Sequence, residues 1–194
     1  MNLRFVANLD GITEGEISMG TVETKDELVE IGTVESLHLH PEIANSPMKN
    51  VDSFEVVEGK GIMDDERFYD RGVTKRGRPF LRHLTMLEGE KIKNYAVMCS
   101  VDEFMADVFR SNMVVSGVKI NLNDLIDKKI YIGSAIVQGY CLRTPCRKMD
   151  DVIQGLQTLM RKFGSGIISQ IIKSGKISKG DKIYVRKIDL PKPI

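Results

Sequence analysis

What most constrains this chain is its punctuation: short runs rich in Val and Ile alternate between apolar and polar positions, and each is soon closed by a glycine-bearing turn. The pattern reads as strands over 30–40, 53–58, 81–87, 113–119, 129–133, 134–141, 167–172 and 182–188. In the first of these, Val34, Ser36, His38 and His40 fall on one face and Leu37 and Leu39 on the other. Seventeen glycines against six prolines, with no tryptophan, suit strands joined by tight turns. Only two stretches carry helical spacing. Ser100-Val101-Asp102-Glu103 has the form of a capping box, and the pairs Phe104/Val108 and Met105/Phe109 continue a helix to Arg110. Val152, Ile153, Leu156, Leu159, Met160 and Phe163 predict an amphipathic helix over 150–163, ended by Gly164. The expected fold is mostly β with a few helices, a barrel or a sandwich.

Residues 2–7 and 16–22, with Asp10-Gly11 between them, predict a strand-rich extension over 1–30, leaving 31–194 as the main domain. With 28 Lys+Arg against 27 Asp+Glu, the net charge of +1 offers no general reason to bind nucleic acid or a membrane surface. No apolar run nears the roughly 18 residues of a membrane span. The first residues meet Asn8 and Asp10 too soon for a secretory signal, so a cytoplasmic location is expected. Three cysteines, Cys99, Cys141 and Cys146, are too few for a disulfide framework and read as reduced thiols.

Cys146 is the strongest chemical candidate. It sits in Arg143-Thr144-Pro145-Cys146-Arg147-Lys148, where nearby cations favour thiolate, the form that attacks sulfur or binds a soft metal. Local sequence leaves open the plainer reading of an exposed thiol without a role. Cys99, in an apolar setting, reads as a core residue, and Cys141 as strand packing with resolving thiol as the alternative. The polar loop from 59 to 79 is either a solvated surface or, in its cationic second half, a phosphate cradle that Arg82 and Arg110 could extend. His38 and His40, two apart on one strand face, are a pair without a third ligand at recognisable spacing. Phosphate-loop, dinucleotide and serine-hydrolase signatures are absent from the sequence.

In order along the chain, Gly32-Thr33-Val34-Glu35-Ser36-Leu37, Gly59-Lys60-Gly61-Ile62, Arg82-His83-Leu84-Thr85, Arg110 to Gly117, Pro145-Cys146 and Gly175 to Asp181 resemble the MOSC family, the domain at the carboxyl end of molybdenum-cofactor sulfurases. The likeness covers about 31–187. It implies a MOSC-like β-barrel and makes Cys146 the counterpart of the family's characteristic cysteine, thought to carry sulfur or coordinate molybdenum. It also implies that Arg82, Arg110 and Asn112 lie around a pterin and its phosphate, with Arg67 and Thr144 as further cofactor-binding candidates. One segment departs from the pattern. Where the family has Gly-Asp-Arg after Gly61-Ile62, this chain has Met63-Asp64-Asp65-Glu66-Arg67. Either Asp64 replaces the glycine and Glu66 the arginine, or one residue is inserted and Arg67 keeps the role.

The implied function is binding of the molybdenum cofactor (molybdopterin) or carriage of sulfur on Cys146, with Cys146 as both catalytic residue and metal ligand. The implied partners are the pterin cofactor, a sulfur donor or acceptor protein, or a redox partner. The competing reading is a non-catalytic interaction module that keeps the fold.

Overall fold

The computed structural model describes residues 27–43, 46–66 and 81–191. The expected hairpin over 2–7 and 16–22, Arg67, and the cations of the 67–78 loop lie outside the described residues.

The strands are β1 (Leu28–Leu39), β2 (Lys49–Val51), β3 (Ser53–Val57), β4 (Gly61–Ile62), β5 (Leu84–Glu88), β6 (Met113–Ser116), β7 (Lys129–Ile132), β8 (Ala135–Leu142), β9 (Ile167–Lys173), β10 (Gly175–Ser178) and β11 (Lys182–Arg186). The helices are α1 (Gly89–Cys99), α2 (Lys148–Val152) and α3 (Leu156–Phe163). Seven strands close a barrel in the order β1-β11-β7-β8-β9-β5-β6 and back to β1, antiparallel except at β5/β6. Strand β1 makes closure possible. Its first half pairs with β11 and its middle with β6, while its end carries β2 on the outside. Register shifts at Glu30/Gly32 and Val34/Ser36 bend it between these partners, as bulges do at barrel corners.

The second shift corrects the simple alternation. Val34 lies in the barrel core with Leu37 and Leu39, because the bulge adds a residue between them, and Ser36 is not part of that core. The barrel is filled by aliphatic side chains from every wall, Leu84, Met86, Ile130, Val137 and Ile183 among them. A second core lies where helices cover β5 and β6. Leu87 and Val114 meet Ile92, Tyr95, Phe109, Met149, Leu156 and Met160 there. A small sheet, β10-β3-β4, stands beside the barrel. Among the described residues no helix is long and apolar enough to cross a membrane.

Both predicted helices are revised. Ser100 ends a helix instead of starting one: it takes a left-handed φ of 57° and its amide bonds the Val97 carbonyl at 3.1 Å, closing α1. The helix is carried by Ile92, Tyr95 and Ala96, three and four residues apart and all buried. Beyond it only Ala106–Phe109 forms a single tight turn. The second helix is broken at Gly155, whose φ of 91° separates α2 from α3. Gln157 restarts it by donating its amide to Asp150 Oδ1 at 2.9 Å.

Candidate functional site

Three segments meet at one end of the barrel: the end of β1, the stretch leading into β6, and the stretch leaving β8. Asn112 joins the first two. Its Oδ1 accepts from the amide and hydroxyl of Thr85 at 3.3 and 2.9 Å, and its amide group donates to the His38 carbonyl at 3.2 Å and to Asp65 Oδ2 at 3.1 Å. Asp65 Oδ2 also receives the His40 backbone amide at 2.7 Å and its ring Nδ1 at 3.0 Å. Asn112 is 4% exposed. Its side-chain oxygen and amide are therefore occupied by protein, and they tie these segments together.

The turn that delivers Asp65 is built by the segment that departs in sequence. Asp64 has φ 63°, the left-handed conformation that glycine adopts most easily and Asp tolerates. Asp64 thus takes the backbone conformation that a glycine would take there.

Arg143 is the clamp of the third segment. Although sequence groups it with the cations flanking Cys146, it is buried and turned inward, donating Nη2 to the carbonyls of Phe109 and, at 3.2 Å, Arg110. Its own amide bonds the Gly166 carbonyl at 2.9 Å. Arg147 and Lys148, by contrast, are exposed. Three residues past the clamp Cys146 is exposed, with its carbonyl accepting the Met149 amide at 3.2 Å at the start of α2. The Pro145 carbonyl is held by Gln157 Nε2 at 3.1 Å. The thiol is thus presented from a segment fixed on both sides.

Cavities flank this segment. One, of about 260 Å³, is bordered by Ser46, Arg110, Lys148 and Met149, and Arg110 Nη1 donates to the Ser46 carbonyl there at 3.3 Å. Another, of about 200 Å³, is bordered by Thr144, Pro145, Arg161 and Gly166. Arg110 borders the first of these cavities and Thr144 the second, and Cys146 borders neither. Arg82 borders neither cavity. It lies near Cys141, where burial pushes the thiol up and the guanidinium partly opposes it. Cys99 is likewise pushed up by burial.

Among the described residues no group of three or more His, Cys, Asp or Glu could hold a metal ion by itself. A metal that arrives with its own ligands would ask less of the chain: Cys146 would offer one soft sulfur, and Arg110 and Lys148 would offer positive charge to an anionic group. The His40–Asp65–Asn112 network was not legible in sequence. Its traces were the alternation that put His38 and His40 on one face and the resemblance that singled out Asn112.

A family model described as MOSC domain matches residues 81–184, more than half of the chain. No curated protein matches it. Among solved structures, the YuaD protein of Bacillus subtilis is 20% identical over 82% of this chain and 97% of its own, with a TM-score of 0.67. YiiM from Escherichia coli is 19% identical over 79% and 69%, with a TM-score of 0.58, and YiiM from Geobacillus stearothermophilus 15% identical over 82% and 75%, with a TM-score of 0.54. These likenesses concern the fold, and the sheet order described above is that of a MOSC-like barrel. The chain belongs to the MOSC domain family.

Proposed function

We propose that this protein binds the molybdenum cofactor or carries sulfur, with Cys146 as the group that meets metal or sulfur. The observation that supports this most is the presentation of Cys146: exposed, three residues beyond a buried Arg143 that clamps its segment to the Arg110 carbonyl. A thiol held in that way is reachable by a large ligand yet does not have to be ordered when the ligand arrives. Arg110 and Thr144 border the flanking cavities and are the candidates to orient a pterin and its phosphate. Asn112 acts through the shape of the chain around them. Arg82 lies by Cys141 and would serve a part of the ligand away from these cavities.

When bound, a molybdenum centre supplies two-electron redox chemistry, for which a redox partner protein would deliver electrons. On the carrier reading, Cys146 holds a terminal sulfur as a persulfide; an acceptor thiolate attacks that outer sulfur, the S–S bond to Cys146 breaks, the acceptor becomes the persulfide and Cys146 returns to thiolate. Metal and pterin analysis of the purified protein, together with assay of cyanide-labile sulfur, distinguishes the two. Stoichiometric molybdenum or tungsten with pterin supports the first, and metal-free protein with labile sulfur the second. Either must vanish in Cys146→Ser. Protein that carries neither, after expression in a host making the cofactor, would leave an interaction module as the better reading.

A further inference from the structure

A separate cavity of about 260 Å³ opens between β1, β2 and the turn at 106–109, bordered by Ser36, His38, Asn50, Asp52, Asp107 and Lys179. Ser36 and His38 are two apart on β1, just past the bulge, and so share its outer face. His38 is 1% exposed, and its Nδ1 donates to the Ser111 carbonyl at 2.9 Å. That bond fixes the proton on Nδ1 and leaves Nε2 as an acceptor with no partner among the described residues. Burial holds the imidazole below its usual pKa, against the opposing pull of the Ser111 bond and of Asp107, so the ring is neutral at neutral pH. Two further acceptors, Ser36 Oγ and Asp107 Oδ1, are buried atoms without a hydrogen-bond partner among the described residues.

Three acceptors of one small cavity thus lack protein donors among the described residues, and leaving the two buried ones, Ser36 Oγ and Asp107 Oδ1, unpaired is costly. The fixed charge of the lining is one negative, since Asp52 and Asp107 outnumber Lys179. An anion is disfavoured there, and a water molecule has only two protons to give. We propose that this cavity binds the ammonium head of a primary amine, its three N–H groups donated to the Asp107 carboxylate, His38 Nε2 and Ser36 Oγ. The site does not depend on the chemistry assigned to Cys146.

The test uses the full chain and two probe ions at equal ionic strength. Methylammonium carries three N–H donors, and tetramethylammonium none. The imidazole nitrogen resonances of His38, assigned by their loss in His38→Gln, report occupancy. Methylammonium is expected to shift them saturably at neutral pH, and tetramethylammonium to leave them in place. Asp107→Asn should weaken methylammonium about tenfold or more, and Ser36→Ala by a smaller factor. If Asp107→Asn does not fold, Ser36→Ala decides. The assignment is overturned by a wild-type response that does not saturate, by an equal response to tetramethylammonium, or by an affinity that the folded variants leave unchanged.

Discussion

Asp65 receives both the backbone amide and the imidazole of His40, at 2.7 and 3.0 Å, and thereby ties the turn after β4 to the end of β1. Asn112 donates to the same oxygen at 3.1 Å. The three donors converge in a buried setting, where removing the shared acceptor strands them together. Asp65→Ala is expected to cost about 2–4 kcal/mol in urea denaturation. A loss below about 1 kcal/mol would mean that water replaces the carboxylate freely.

The neighbouring residue makes the opposite prediction. Asp64 is exposed and holds φ 63°, so its side chain contributes little while its Cβ strains the turn. Asp64→Gly should be neutral or gain up to about 0.5–1 kcal/mol, and Asp64→Val should lose about 1–2 kcal/mol. Equal stability of the two variants would show that the left-handed backbone is not required.

Much of the barrel was legible because its strands alternate and glycines end them: runs at 53–57, 129–132 and 182–186 fall almost where the pattern places them. The errors share a cause. Ser100 and Glu103 satisfy a local capping rule, but the apolar stripe of Ile92, Tyr95 and Ala96 had a second core to cover, and burial decided which segment became the helix. Arg143, Arg147 and Lys148 look alike in sequence. Only the approach of the Phe109 and Arg110 carbonyls, more than thirty residues away, separates the buried clamp from the exposed pair. The exposed cysteine was legible from its neighbours, whereas the His40–Asp65–Asn112 network depends on contacts between distant stretches of chain.

Tyr95 gives a pH signature. Its ring stacks on Phe109 with centroids 6.0 Å apart, its hydroxyl donates to the Gly164 carbonyl, and burial, with Glu88 adding to it, pushes its pKa from 10.0 up to about 12. A raised native pKa stabilises the fold fully below the unfolded value and loses that contribution as pH climbs through the native one. Thermal unfolding of the wild type should therefore weaken between pH 10 and about 12 more steeply than that of Tyr95→Phe. Parallel curves for the two proteins would refute the assignment.

Gly166 holds the clamp in place from behind. It has φ 83°, a Cβ there would lie 1.9 Å from the Met86 carbonyl oxygen, and its own carbonyl anchors the Arg143 amide. Backbone cannot yield as a flexible side chain does. Gly166→Ala is expected to lose about 3 kcal/mol or more by combining strain with overpacking. Wild-type stability in that variant would contradict the close approach.

The three thiols should separate by reactivity. Cys99 and Cys141 are half-buried, and burial raises both, with Arg82 opposing it at Cys141, whereas Cys146 is exposed at the start of α2. Thiolate is the attacking form, so a higher pKa and poorer access both slow a thiol at neutral pH. Folded protein treated with an aromatic disulfide reagent should release one equivalent of chromophore quickly and the rest slowly. Cys146→Ser should lack the fast phase and Cys99→Ser should keep it. If the fast equivalent instead disappears with Cys141→Ser, the exposed position of Cys146 does not govern sulfur chemistry in this chain, and the proposed carrier or metal-binding role loses its footing.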